Sequence, residues 1–268
     1  MSRKRVSNLA YAFSVGKIRA LEKFLMRKEV FEEARESSLH EALKLFVESN
    51  LYSDALLHIK DSQQLEMVLN EELLKIKKLI GDLLLDKGLW CIIELTDLNS
   101  AYQACQVYRS EFLSDYLKHV IDMHNIKTFL RFYVLKESAD KLKQNLVLEG
   151  FVKREVFLQA YSQDIVFLLN RLEYVHKRHS IIDYSVYLSD AIEKLMQKNS
   201  FIALEKAISD FLIQMLKPAK YLSFGPEAII AYYFAKVNEI NLIRLIILAK
   251  LNGVSPDVVK ERLNNVYV

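Results

Sequence analysis

The sequence predicts an all-α protein, and three observations carry that expectation. Turn-forming residues are scarce, with six glycines and three prolines in 268 residues, while the helix-favouring Leu, Lys, Glu and Ala are abundant. Apolar residues recur every three or four positions along most of the chain. No strand alternation, hairpin dipeptide or low-complexity linker competes with that period.

The first helix is expected over residues 7–26, with Tyr11, Val15, Ile18, Leu21 and Leu25 on one face and lysine and arginine across much of the other. The same period returns at Leu39, Leu43, Phe46 and Val47, then at Leu65, Val68, Leu69, Leu73, Ile76 and Ile80, with residues 83–85 ending near Gly88. Asp61 and Ser62 mark a turn between these patches. Residues 98–148 suit two or three helices stopped by Gly150. One further helical stretch is expected over residues 151–170, closed by the basic patch Arg171, His176, Lys177, Arg178 and His179. Helices over residues 183–197 and 201–216 follow, the second ending before Pro218, because proline disfavours helical geometry in the residue before it.

The C-terminal fifty residues carry the sharpest punctuation. Ser223, Phe224, Gly225, Pro226 and Glu227 form a helix start, with proline at the first helical position and glutamate facing the positive end of the dipole. The helix runs to Leu251, and Asn252 and Gly253 suit a left-handed cap. Ser255, Pro256 and Asp257 start a short last helix through Leu263. The two helices form a hairpin in which Ile240, Ile247 and Leu251 meet Val258, Val259 and Leu263. A faint internal echo at a spacing of 116 residues relates Tyr116, Ile121, Asp122, Asn125, Ile126, Phe129 and Leu130 to Tyr232, Val237, Asn238, Asn241, Leu242, Leu245 and Ile246. It weakly supports a duplicated helical unit.

A chain of this length buries roughly 70% of its unfolded surface, so its core needs neither disulfide nor metal. Cys91 and Cys105 lie fourteen residues apart without a second pair, which fits neither a disulfide framework nor a zinc pattern and suits a reducing compartment. Net charge is +3, yet residues 1–28 hold eight basic side chains (Arg3, Lys4, Arg5, Lys17, Arg19, Lys23, Arg27, Lys28) against Glu22 alone. Such a helix is drawn to anionic headgroups or an acidic protein surface, or else serves as a solubilising face. A signal peptide is not expected, since Lys17 and Arg19 interrupt the short apolar run and no small-residue cleavage site follows. The uncharged run 228–235 is less than half of what a bilayer crossing requires, so no transmembrane segment is expected.

Chemistry is not expected either. His119 with His124, and His176 with His179, invite a metal; His176 and His179 can share a helix face, but no acidic residue or cysteine is read at ligand spacing beside them, and Lys177 and Arg178 repel a cation. No phosphate loop, nucleophile elbow or metalloprotease pair occurs. Carboxylate pairs such as Glu32 with Glu33 and Glu71 with Glu72 read as solvated helix faces. No cofactor is therefore assigned.

Three ordered motifs carry a family resemblance. The stretch Gly225-Pro226-Glu227-Ala228-Ile229-Ile230-Ala231-Tyr232, continuing through Lys236, Asn238, Glu239, Ile240, Asn241 and Arg244 to Lys250-Leu251-Asn252-Gly253, resembles the signature of the C subunits of archaeal and bacterial A/V-type rotary ATPases, relatives of the eukaryotic d subunits. Pro256 and Lys260-Glu261-Arg262-Leu263 extend it. Asp122-Met123-His124-Asn125-Ile126-Lys127-Thr128-Phe129-Leu130-Arg131 resembles the family's middle motif. Tyr11-Ala12 and Lys17-Ile18-Arg19-Ala20-Leu21-Glu22 resemble its N-terminal one. Ala249 departs from the family, standing where many members have glycine, and the chain is short for it.

The resemblance implies a funnel of three similar helical subdomains within one elongated domain over residues 1–268. It implies a non-catalytic component of the central stalk, peripheral on the cytoplasmic face of a membrane. That component would receive the central shaft, made of the D and F subunits, and rest on the membrane rotor ring of proteolipid subunits, with ATP chemistry and ion movement elsewhere. Within the motifs, Arg19, Asp122, Asn125, Arg131, Glu227, Glu239, Arg244 and Lys250 are the candidate interaction or structural residues. Arg131 and Arg244 are expected to pack or pair within the chain before binding an acidic partner, and Asn125, Glu239 and Asn241 to satisfy contacts between helices. A soluble helical-repeat scaffold binding protein or nucleic acid is the rival; the ordered resemblance decides against it, and no nucleic acid is expected.

Overall fold

The structure is a computed structural model that describes residues 6–49, 52–95, 97–177 and 180–268. In chain order its helices are α1 (Ala12–Glu22), α2 (Lys28–Glu36), α3 (Leu39–Ser49), α4 (Ser62–Leu83), α5 (Trp90–Glu94), α6 (Leu98–Tyr108), α7 (Glu111–Leu135), α8 (Ala139–Asn145), α9 (Arg154–Ser162), α10 (Ile165–Leu172), α11 (Ser185–Lys198), α12 (Ile202–Leu216), α13 (Glu227–Leu251) and α14 (Pro256–Lys260). Among the described residues the fold is all-α apart from the short pair β1 (Val175–His176) and β2 (Ile181–Ile182). It divides into two compact units, Met1–Ile93 with Ile213–Val268, and Glu94–Leu212.

The first unit is built around α13, which packs against α1, α2, α3 and most extensively α4. Residues are buried all round α13, from Ala228 and Ile229 to Ile246 and Ile247. A helix buried on most sides needs little polar face, and several of its polar residues, Glu227, Lys236, Asn238 and Glu239, are themselves buried. Its ends lie where the local chemistry puts them. Gly225 enters at φ +101, which a side chain resists. At the exit Gly253 takes φ +65, and the amides of Val254 and Gly253 return to the carbonyls of Ala249 and Lys250 at 2.8 and 3.3 Å, satisfying the last turn. The short helix beyond is briefer than expected. Val259 and Leu263 are buried, but Val258 is exposed and does not join the hairpin core. Asp61 caps α4, accepting from the Gln64 amide at 2.8 Å, and Leu65, Leu69, Ile76 and Ile80 follow on the buried face.

The second unit is organised around α7, which contacts α6, α8 and α9. Ser110 caps its start, accepting from the Leu113 amide at 3.2 Å. Where the periodicity predicts one helix over residues 151–170 there are two, because Asp164 caps a new start by accepting from the Phe167 amide at 2.8 Å. The small antiparallel ladder, with Val175 opposite Ile182 and His176 opposite Ile181, leaves the all-α class intact and is a detail that the periodicity does not announce. Two residues per strand leave no alternation to read. Of the basic patch, Arg178 and His179 lie outside the described residues, as do Arg3, Lys4 and Arg5.

The internal echo falls on α7 and α13, helices of 25 residues whose limits are both offset by 116 positions. The pairs Tyr116 and Tyr232, Asp122 and Asn238, Ile126 and Leu242, and Leu130 and Ile246 are buried in both copies. Asp122 and Asn238 do the same work, each binding backbone of a segment about thirty residues downstream.

Candidate functional site

In the first unit the candidate Glu239 belongs to a buried ion cluster. Lys236 and Glu239 stand one turn apart on α13, with Nζ 2.6 Å from the carboxylate. Lys236 also donates to the Tyr52 hydroxyl at 3.1 Å, and that hydroxyl donates to Glu239 at 3.3 Å. The amide of Met26 donates to the other carboxylate oxygen at 2.5 Å. The lysine nitrogen stands 4.3 Å from the centre of the Tyr52 ring, a cation–π contact. Burial pushes the Glu239 carboxyl above the usual carboxylate range, and the Lys236 charge pulls it back down. Buried charges persist where they are paired and bonded in this way. The cluster ties the end of the N-terminal helical segment and the chain at Tyr52 to one turn of α13.

Three other candidates fasten the same unit. Arg19 grips both oxygens of Glu22 at 2.7 Å and donates to the carbonyls of Ala219 and Leu222 at 2.7 and 2.8 Å. Lys250 donates to the carbonyls of Arg35, at 3.0 Å, and Ser37. Its ammonium thereby sits at the negative end of α2. Arg244 reaches Glu66 at 2.8 Å and Asn241 at 2.6 Å. Glu227 is buried at the start of α13. A Cβ on Gly225 would fall 2.1 Å from its carboxylate, so both the backbone angle and the space require glycine there.

In the second unit the fully buried Asp122 is the centre of a polar network. Its carboxylate accepts from the amides of Phe151 and Val152 at 3.1 and 3.0 Å and from the Tyr184 hydroxyl at 2.7 Å. Tyr184 commits its one proton to Asp122, so His119 Nδ1, 2.7 Å from the same hydroxyl, carries the hydrogen between them. Burial pushes the Asp122 carboxyl up to about 7 against the downward pull of these donors. Burial, and then the charge of Lys177, hold the His119 imidazole down at about 3, a neutral ring. Asn125, one turn further on, pairs with both the amide and the carbonyl of Val147, at 2.9 and 2.8 Å. Arg131 is exposed, 3.6 Å from Glu205 and over the Phe201 ring at 5.7 Å. Like Arg244, it is engaged within its own unit.

Gly150 lies against this network. A Cβ there would stand 2.2 Å from Asp122 Oδ1 and 3.3 Å from Ile121 Cγ2. Gly150→Ala is expected to lower stability by about 1–3 kcal/mol, because the chain must move away from the carboxylate it binds. Urea unfolding of the two proteins measures it.

The structure thus brings the candidates into two buried clusters and a set of ties, one cluster in each unit. Sequence reasoning assigns no role to Lys236, Tyr52 or Tyr184. For Lys236 the signal is its position one turn before Glu239; for the tyrosines there is none, because their partners are distant in sequence. His119, weighed as a metal ligand, is a hydrogen-bond partner of Tyr184. The outward face of the first helix also differs from expectation. Phe13 and Leu9 stand on it 79% and 69% exposed, among the basic residues. No helix among the described residues is long and apolar enough to cross a membrane.

Comparison with known proteins places these features. The profile of the family described as ATP synthase (C/AC39) subunit matches residues 93–262, more than half of the chain. The C subunit of the V-type sodium ATPase of Enterococcus hirae is 27% identical over 151 residues, 55% of this chain and 42% of that relative. The matched stretch thus spans less than half of the relative's own length.

Proposed function

The chain belongs to the ATP synthase (C/AC39) subunit family, the family of the V-type ATPase C subunits, and from that membership we propose that it is a non-catalytic coupling component of such a motor. It would form part of the central stalk, on the cytoplasmic face of the membrane, seating the shaft of D and F subunits on the ring of proteolipid rotor subunits. The three similar subdomains of the funnel are part of this proposal. Torque would pass through the protein while ATP chemistry and ion movement take place in other subunits.

The family match over residues 93–262 carries this reading. The internal geometry supports it. A part that transmits torque must not let its helices slide, and here each unit pins its 25-residue central helix through buried polar groups as well as apolar packing. Packed interiors of this kind transmit strain instead of absorbing it. In place of a reactive constellation, the candidate residues hold the chain's own backbone and side chains.

The purified full chain is expected to form a complex with the D and F shaft subunits of the same organism that survives size-exclusion chromatography, and to bind the detergent-solubilised rotor ring. A clean monomer that binds neither and retains nucleic acid instead would overturn the proposal in favour of a scaffold.

A further inference from the structure

The outward face of α1 is apolar, although the inward face already supplies the core contact. Tyr11, Val15, Ile18 and Leu25 are buried inward. On the opposite side of the helix Phe13, Gly16 and Ala20 are exposed, flanked by exposed Leu9 in the 3-10 turn before it and exposed Phe24 in the turn after it. Helical spacing puts Phe13, Gly16 and Ala20 on one strip, with Leu9 and Phe24 at its two ends. A helix with apolar residues on two opposite faces is one that is covered on both, and the described residues cover one.

Gly16 says what kind of cover fits. It lies inside the helix at an ordinary helical angle, and a Cβ there would meet nothing within 4 Å among the described residues. A glycine inside a helix costs stability relative to alanine, and no contact in the described fold requires it. Close approach of a second backbone is the remaining use of a missing side chain.

The rim supplies the charge. Lys17, Lys23 and Arg27 are exposed along the strip. The Arg19 bonds to Ala219 and Leu222 hold the turn carrying Lys217 and Lys220 beside the helix. Lys220 is held below its usual range by burial first and then by the charge of Lys217. Glu22, the carboxylate of α1, is already taken by Arg19. The field over this face is positive.

We propose that this face docks an acidic-rimmed helix of a protein partner, with Gly16 and Ala20 as the point of closest approach. Its basic rim would repel a second copy of the same face. An anionic bilayer would answer the charge, but a glycine notch buries less apolar area in lipid than a bulky residue at the same place. The choice of partner to test rests on the function proposed above.

The full chain, Gly16→Ala, Gly16→Leu and a control on another surface, Val166→Glu, are titrated with the purified shaft subunits and, separately, with the solubilised ring. Each is also sedimented with phosphatidylglycerol vesicles. The expected result is at least tenfold weaker binding of Gly16→Leu to one of the two protein preparations, with Val166→Glu unchanged. Binding of the full chain should weaken as salt rises, and Gly16→Ala should melt at a higher temperature than the full chain. Equal binding by Gly16→Leu, folded by its melting temperature, overturns the docking face and leaves the coupling function standing. Failure of the unsubstituted chain to bind either preparation overturns both. Loss confined to vesicle sedimentation overturns the protein partner in favour of lipid.

Discussion

Lys236→Met is expected to lower the unfolding free energy by about 3–5 kcal/mol at neutral pH, the usual cost of removing one partner of a buried ion pair. Methionine fills much of the same space, so the loss is electrostatic in origin. It leaves the Glu239 carboxylate buried, facing neutral donors from Tyr52 and Met26. Burial already holds that carboxyl above its ordinary range while Lys236 opposes the shift. Without the lysine the shift grows, so the folded variant holds a proton that the unfolded chain releases. A group bound more tightly to its proton in the folded state loses stability as pH rises above its unfolded pKa, here about 4.3. The deficit of the variant should therefore be larger at pH 8 than at pH 5. Adding Glu239→Leu should recover part of the loss, since no unpaired charge is then buried, but the Met26 amide still lacks that acceptor. Urea unfolding at the two pH values tests this. Equal deficits at both would show that the pair is not carried as ions.

Asp122→Ala is expected to cost on the order of 4 kcal/mol, because three buried donors lose their acceptor at once. The amides of Phe151 and Val152 cannot turn to water inside the fold, and the Tyr184 hydroxyl keeps His119 alone. The deficit depends on pH in the opposite sense to the first case. The Asp122 carboxyl lies at about 7 in the folded chain against 3.8 as a free side chain. The folded state thus binds the proton more tightly, and the group's contribution is greatest below about pH 4 and is lost as pH rises to about 7. Removing the carboxyl removes that slope. The deficit of Asp122→Ala should be larger at pH 5 than at pH 8, by about 2–3 kcal/mol. Burial sets both shifts, raising Asp122 and holding His119 neutral; of the neighbouring charges, Lys118 lowers Asp122 and Lys177 adds to the lowering of His119. A deficit that does not change with pH would mean the carboxylate stays ionised throughout.

The two deficits thus run in opposite directions with pH because one substitution deepens the shift of a buried carboxyl and the other removes the shifted group itself. Each cluster binds one long helix to chain far away in sequence. That is how a helical body resists sliding where apolar contact alone would permit it, since apolar contact has no direction. In the proposed coupling role these are the positions where a loss of stiffness would first lower the yield of intact motor.

What is legible in the sequence is what local chemistry decides. The limits of α13 follow from Gly225 and Pro226 at one end and Asn252 and Gly253 at the other, and the structure places the helix between them. Asp61 reads as a turn because its side chain caps the residues that follow it. The helix over Lys28–Glu36 escapes sequence reading, although Phe31 and Ala34 are spaced for it, because Arg27 offers no side-chain cap to announce its start. Asp164 is the reverse case: its cap divides residues 151–170 where the apolar spacing alone runs on unbroken.

The sequence by itself determined the all-α class, the family, and which motifs hold polar residues in apolar surroundings. Only the tertiary structure decided what those residues touch. Arg19 meets Ala219, Glu239 meets Met26 and Lys250 meets Arg35, each across about two hundred residues of chain. Helical periodicity reports which side of a helix is apolar and is silent about its partner, because a period of 3.6 looks the same whatever covers it. The exposed Phe13 on α1 shows the same limit from outside: its spacing gives an apolar strip, and the fold alone reveals that its own core leaves that strip uncovered.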